Sequence, residues 1–476
     1  MEKTETQINN LFQDWSNRSA DKIQRLPASG SDRVYYRIIF DQKSIIAAYN
    51  ENVDENRAFF SMTKHFKQKN VPVPQLLYVS GNEQYYLLED LGDISLFDRL
   101  SKVRNGDEIP KSVLNLYASA LDSLAYMQTV AANDFDYSVC YPVSQFDRKA
   151  IEWDLNYFKY YYVKLSGAEF DELALESDFS ALIDILLKAP SAYFLFRDFQ
   201  SRNIMVHQGK PYFIDYQGGR KGALQYDLVS LLWQARADLP HEIRESLLNH
   251  YLQALKQHID FNEADFRYYY DAFILIRVLQ SLGAYGFRGI YEQKTHFLLS
   301  LPMATKNLES VMQSNRFIEK FPELSKLLKT LLTPRYQPWL AQKTEPGKLM
   351  IKVGSFSYKK GLPRDYSGHG GGHIFDCRAI HNPGRYEEYK SLTGRDNAVI
   401  EFLDKTESMQ AFLKSVTDIV EQSTETYLHR GFDYLSIQFG CTGGQHRSVY
   451  AAEKIYHHLK NKYPVHVVLN HKEQDF

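Results

Sequence analysis

The sequence predicts an α+β, bilobal domain followed by an α/β domain. Three observations carry this expectation. A strand-rich opening gives way near Gly92 to a long helical stretch; a polar cluster of Asp198, Asn203 and Asp215 lies between short apolar runs; and strands alternate with helices again after a Pro/Gly/polar segment.

Length and composition set the limits. At 476 residues the chain exceeds the size at which one core keeps growing, so at least two domains are expected. With 44% hydrophobic and 24% charged residues it reads as globular, and a formal charge of -2 provides no long-range field to gather nucleic acid. The three cysteines, Cys140, Cys377 and Cys441, are too few and too scattered for a disulfide framework and fit a reducing cytoplasm. The polar, acidic start is unlike a signal peptide, and no apolar run approaches the ~20 residues that span a bilayer, so neither export nor membrane embedding is expected.

The opening lobe, residues 1–92, reads as a hairpin from Val34–Phe40 and Ser44–Tyr49, a helix from Val53 to Lys69, and two strands at Leu76–Val79 and Gln84–Glu89. Pro72 and Pro74 stop the helix. Residues 93–335 form the second, mainly helical lobe, with helices at 112–131, 146–164, 181–188, 224–237, 241–257 and 264–282. A small hairpin turns about Gln208-Gly209-Lys210. Residues 336–347 read as a linker. Beyond it, 348–476 alternate strands at 349–356, 374–379, 434–439 and 465–469 with helices at 405–429 and 447–462.

The chemistry concentrates in two places. The first runs Phe196-Arg197-Asp198-Phe199-Gln200-Ser201-Arg202-Asn203 and then Ile214-Asp215-Tyr216-Gln217-Gly218. Phosphoryl transfer needs a carboxylate at the acceptor hydroxyl and oxygen ligands for the metal that bridges the phosphates, and these residues supply both. They resemble the aminoglycoside phosphotransferase and choline kinase superfamily. Together with Tyr226-Asp227-Leu228-Val229-Ser230-Leu231-Leu232 they look most like its amino-sugar kinases, typified by AmgK, which act on N-acetylmuramate and N-acetylglucosamine. The resemblance implies a protein-kinase-like fold for this domain, Asp198 as catalytic base, Asn203 and Asp215 as magnesium ligands, Asp227 as a brace for the loop, and ATP or another NTP as phosphate donor. Ser29, Gly30 and Ser31 would cover the phosphates, Arg33 would contribute charge, and Glu89 would mark the adenine hinge.

The sequence departs from that pattern in two places. The strand Ser44-Ile45-Ile46-Ala47-Ala48-Tyr49 has no lysine for the phosphates, leaving Glu55 without its usual partner and Arg33 or Arg37 as substitutes; Phe196 stands where many kinases have histidine. For the acceptor, Glu152, Asp154, Asn156 and Tyr157 on one helix either read sugar hydroxyls or form a solvated face. Arg277, in an apolar run, needs an anionic partner and is expected to anchor either the fold or a substrate carboxylate, with the structural use preferred.

The second place is Gly440-Cys441-Thr442-Gly443-Gly444-Gln445-His446-Arg447-Ser448, where a strand enters a glycine-rich turn and a helix leaves. Backbone N–H groups, the helix dipole and Arg447 suit a phosphate there. Cys441 and Arg447 also stand at the spacing of a tyrosine-phosphatase loop, although Gly440 replaces that family's histidine. The better resemblance is to the C-terminal domain of the RNase adapter RapZ. It rests also on Ser355–Pro363, His373–Arg378 with Asn382-Pro383, and Thr393-Gly394, and it departs from that family in the insert Tyr366–Gly372. It implies a phosphosugar ligand at the Cys441–Ser448 loop. RNA and a second copy of the chain stay open as partners. The combined expectation is an ATP- and Mg2+-dependent amino-sugar kinase joined to a phosphosugar-sensing domain. The alternatives are a regulatory RNA- or phosphosugar-binding protein with a weak or inactive kinase domain, or a kinase for an aminoglycoside or choline-like compound.

Overall fold

The structure is a computed structural model and describes residues 2–27, 33–104, 106, 108–337, 348–365, 367 and 371–474. Two compact units are present, residues 1–284 with 303–332 and residues 285–302 with 333–476. The sequence reading placed residues 285–302 in the first domain. No helix among the described residues is long and apolar enough to cross a membrane.

In the first unit, strands β1 (Lys22–Arg25), β2 (Val34–Phe40), β3 (Lys43–Tyr49), β4 (Leu76–Val79) and β5 (Tyr85–Glu89) form one antiparallel sheet in the order β1-β2-β3-β5-β4. The β2–β3 hairpin turns at Asp41 and Gln42, both at positive φ (47° and 59°), a geometry whose twist matches that of paired strands. Side chains alternate across the sheet. One face carries Tyr36, Ile38, Ile45, Ala47 and Leu87 against Ile8, Leu11 and Phe12 of the helix Glu2–Ser16, an element not read from the sequence. The opposite face carries Tyr86, whose ring packs on Phe59 and Phe60 of the helix Val53–Gln68. That helix starts where Asn52 accepts a hydrogen bond from the Glu55 N–H (3.1 Å). Acidic Asp54 and Glu55 lie in its first turn and basic His65 and Lys67 in its last, which complements the helix dipole.

The remainder of this unit is mainly helical, with two small antiparallel pairs. Strands β6 (Tyr193–Leu195) and β9 (Arg220–Gly222) pair with each other, as do β7 (Ile204–His207) and β8 (Lys210–Phe213). The expected helix 146–164 is α-helical over Arg148–Phe158 and then widens to a π-helical turn over Lys159–Val163.

The second unit holds a four-stranded parallel sheet, β10 (Met350–Ser357), β11 (His373–Asp376), β12 (Tyr434–Cys441) and β13 (His466–His471), in the order β11-β12-β10-β13. The central strands β10 and β12 are buried almost throughout, which their near-continuous apolar runs reflect. Helices Glu407–Arg430 and Arg447–Lys462 contribute Val416, Val420, Ile455 and Leu459 to the core. The connections from β10 and β12 run to opposite sides of the sheet, so the crevice at their carboxyl ends is a topological switch point. The expected linker falls mostly on residues 338–347, outside the described residues.

Candidate active site

Pairing of β6 with β9, and of β7 with β8, brings the first constellation together. Leu195 is in register with Arg220, and Ile204 with Phe213, so the loop 196–203 and the segment 214–219 leave adjacent strand ends. The β7–β8 turn at Gln208 and Gly209, φ 49° and 76°, closes the hairpin that the sequence predicted. Beneath the loop Phe196, Phe199 and Phe213 are fully buried, with Phe199 at 5.2 Å from each of the other two rings. Phe196 therefore fills an apolar floor where a histidine would need a polar partner.

The loop is held from below by Asp227, which has no solvent exposure. Its carboxylate accepts from the N–H groups of Phe196 (2.7 Å) and Arg197 (2.9 Å) and from Gln128 Nε2 (2.9 Å). Burial pushes its pKa up to about 7 against the pull of those donors. Arg197 and Asp215 both adopt left-handed backbone, φ 84° and 68°, which costs free energy and is often found where a site fixes side-chain direction.

Asp198, Asn203 and Asp215 converge. Asn203 Nδ2 donates to the Asp198 carbonyl (2.9 Å) and lies 3.3 Å from Asp215 Oδ2, while Gln217 Nε2 donates to Asp215 Oδ1 (2.9 Å). Burial, and then the Asp198 charge, raise the Asp215 carboxyl above its ordinary value. Asn203 and Gln217 face Asp215 through their amide nitrogens, so a hard divalent cation here would rest on the Asp215 carboxylate and would need the Asn203 amide turned to present its oxygen.

Of the residues expected around the nucleotide, Ser29, Gly30 and Ser31 lie outside the described residues. Arg33 is described and buried. Its Nη2 lies 3.1 Å from Glu55 Oε1, its guanidinium stands 5.8 Å over the Phe59 ring, and its Nε and Nη2 have no hydrogen-bond partner. Arg33, Tyr35 and Arg37 share the β2 face that carries Ala48 and Tyr86 in register, so a side chain from β2 reaches the helix carboxylate for which β3 offers only alanine. Arg37, the other candidate, is committed elsewhere, donating from Nε to Asp90 (2.6 Å) and pairing with Asp93 (2.8 Å). Glu89 ends β5 with its carboxylate accepting from the Gln75 N–H (3.0 Å), beside Lys67 at 3.5 Å.

The acceptor-side helix differs from its expectation at Asp154. That residue is buried and grips both terminal nitrogens of Arg197, the neighbour of Asp198. Arg277 donates to two neutral partners, the Tyr226 hydroxyl (2.9 Å) and Gln280 (2.6 Å), where the sequence led us to expect an anion. The sequence reading missed the Arg197–Asp154 pair, Gln128 and Arg220. Only the position of Arg197 beside Asp198 signalled any of them.

In the second unit the glycine-rich turn lies at the carboxyl ends of β10 and β12, where Ser357 Oγ donates to the Thr442 carbonyl (2.7 Å). Gly444, at φ 69°, has no room for a side chain, because a Cβ there would meet Glu473 at 2.5 Å and the Ser357 nitrogen at 3.0 Å. Its N–H donates to Cys441 Sγ (3.2 Å), and Ser448 Oγ lies 3.1 Å from the same sulfur. Burial works to raise the Cys441 thiol, but the Ser448 and Gly444 donors and the Arg447 charge outweigh it and bring the pKa below the ordinary thiol value. Arg447 is less free than its sequence suggests, because Nη1 already donates to the carbonyls of Arg378 (2.9 Å) and Ile380 (2.7 Å), while Nε is buried without a partner. His446 is spent on the Tyr389 carbonyl (2.8 Å). A Cβ on Gly394 would sit 2.3 Å from the His446 carbonyl oxygen and one on Gly384 3.0 Å from the His446 ring, so the Asn382–Gly384 and Thr393-Gly394 segments close around the turn.

This arrangement has relatives. Residues 22–267 match the phosphotransferase enzyme family, which is more than half of the chain. The chain belongs to the phosphotransferase enzyme family. Residues 349–475 match the RapZ C-terminal domain. Curated relatives include a nucleotide-binding protein of Acidobacterium capsulatum, 40% identical over 114 residues covering 24% of this chain and 36% of that protein. Another, from Nitrosomonas europaea, is 32% identical over 150 residues, or 32% and 50% of the two chains. The chain thus spans about a third to a half of the length of these relatives. Among solved structures, choline kinase from Cryptosporidium parvum aligns at 11% identity with a TM-score of 0.44, over 68% of this chain and 99% of that one. Aminoglycoside phosphotransferase APH(4)-Ia aligns at 13% and 0.42, over 64% and 99%.

Proposed function

We propose that the first unit transfers the terminal phosphoryl group of ATP, or another nucleoside triphosphate, to a hydroxyl of an amino sugar of the N-acetylmuramate or N-acetylglucosamine type. The observation that carries this reading is the convergence of Asp198, Asn203 and Asp215 through the 2.9 Å and 3.3 Å contacts of Asn203 Nδ2. Asp198 orients and deprotonates the acceptor hydroxyl, while Asn203 and Asp215 hold Mg2+, which when bound neutralises the phosphates. Arg33 approaches the phosphates with its guanidinium, whose Nε has no hydrogen-bond partner, while Nη2 pairs with Glu55. Ser29, Gly30 and Ser31 cover the phosphates, and the chain at Glu89 borders the adenine. The domain limits, 1–335 and 348–476, remain part of this proposal.

In the same proposal the second unit binds a phosphosugar at Cys441–Ser448, so that a product of the kinase class is also a ligand of the attached domain. The alignment with the RapZ C-terminal domain and the anion-suited turn support that reading.

The test is a screen of the purified chain for ATP consumption and phosphorylated product against amino sugars, aminoglycosides and amino alcohols. Transfer to an amino sugar with the highest kcat/KM supports the reading. Transfer only to an aminoglycoside or amino alcohol replaces its substrate.

A further inference from the structure

Beside the catalytic loop stands a buried positive charge that no carboxylate neutralises. Arg220, the first residue of β9, is 6% exposed, yet among the described residues its side chain makes one hydrogen bond, from Nε to the Gly218 carbonyl (3.0 Å), and no ion pair. Buried guanidiniums are ordinarily paired. Its place is set by the sheet: Arg220 is in register with Leu195, three residues before Asp198, and its Nη2 reaches back over Gly218, which also packs against Arg197.

The surroundings strengthen the anomaly. The guanidiniums of Arg197 and Arg277 stand 5.0 and 4.7 Å from the Tyr226 ring, and that of Arg220 lies beside Arg197 across Gly218, within electrostatic reach of both Arg197 and Tyr226. One carboxylate, Asp154, touches this group, and both its oxygens are committed to Arg197. Burial, followed by repulsion from Arg197, lowers the Arg220 pKa to about 10, while Asp154 and Asp198 act on it only through space. A wall of this kind repels a polycation and is completed by an anion.

We infer that Arg220 is an anion subsite of the acceptor cleft, and that the preferred acceptor carries a carboxylate or similar acidic group beside the hydroxyl that receives the phosphoryl group. This rests on the kinase reading and narrows its substrate class to acidic hydroxy compounds. The acid accepts hydrogen bonds from the terminal nitrogens of Arg220, and its charge replaces the missing counterion. Aminoglycosides and amino alcohols, being cations, are disfavoured at the same wall.

The test uses ring pairs that differ in a carboxylate, namely N-acetylmuramate against N-acetylglucosamine and glucuronate against glucose, titrated by calorimetry into the full chain loaded with a non-hydrolysable ATP analogue and Mg2+. Because binding is read directly, the result does not depend on turnover. In at least one pair the acid is expected to bind roughly 10-fold or more tightly than its neutral partner, with the preference lost in Arg220→Met, largely kept in Arg220→Lys, and nucleotide affinity unchanged. Equal binding of acid and neutral compound in wild type overturns the inference even if no variant folds. So does an acid preference that survives in Arg220→Met, or a loss confined to the nucleotide, which would assign the charge to a phosphate of the donor. Failure of every compound to be phosphorylated, with the acid preference intact, would sink the kinase reading and leave the subsite standing.

Discussion

Arg33 Nη2 and Glu55 Oε1 lie 3.1 Å apart, joining the edge of β2 to the first turn of the helix Val53–Gln68. The lysine usually paired with such a glutamate is absent, and an arginine from the neighbouring strand occupies the face. Since its Nε has neither a hydrogen-bond partner nor an ion-pair contact, removing it should cost nucleotide binding. Arg33→Met is expected to weaken MgATP by roughly 10- to 100-fold, the worth of one charge-assisted hydrogen bond at ~1.5–3 kcal/mol. A nucleotide titration with an unchanged Kd would show that this arginine is only structural.

Asp198→Asn should retain nucleotide affinity and lower kcat on the true acceptor by ~10²-fold or more, because the carboxylate acts on the hydroxyl during transfer. Steady-state kinetics beside equilibrium nucleotide binding separate the two effects. Near-wild-type turnover would remove Asp198 from the chemistry.

Asp215→Ala should abolish the part of nucleotide binding that depends on Mg2+, and a titration with and without the metal measures it. An unchanged magnesium dependence would place the metal elsewhere.

Asp227 links the loop to pH. Its folded pKa of about 7 lies above the ordinary carboxylate value, so between about pH 4 and pH 7 the folded chain keeps a proton that the unfolded chain has released. Its contribution to stability is therefore full below that window and falls as pH rises through it, by up to ~1.4 kcal/mol per pH unit. Denaturant unfolding of wild type and Asp227→Asn at pH 4.5, 5.5 and 7 should show wild type losing ground to the variant as pH rises. A difference that does not change with pH would mean that Asp227 is ionised throughout.

In the second unit, Arg447→Ala should weaken glucosamine 6-phosphate binding to the full chain by ~2 kcal/mol or more, and Cys441→Ser should bind almost normally. The lowered thiol and its spacing from Arg447 make the alternative measurable. Release of phosphate from an aryl phosphate that disappears in Cys441→Ser would identify a thiolate nucleophile instead.

What the sequence determined by itself was whatever depends on near neighbours. The spacing of Asp198, Asn203 and Asp215, the turns at 41–42 and 208–209, and the strand-turn-helix at 434–462 are local, because side-chain period and turn chemistry act over a few residues. The helix Glu2–Ser16 was legible too, since Ile8, Leu11, Phe12 and Trp15 recur at helical spacing, but its polar composition masked the apolar stripe. Only the tertiary structure decided which charges meet. Arg33 with Glu55, Arg197 with Asp154, and Asp227 beneath a loop 30 residues away are pairings between distant segments. Burial set their partners, because a charge taken out of water is tolerable only where the fold supplies a counter-group, and nothing in a linear pattern records where the fold has supplied none, as at Arg220.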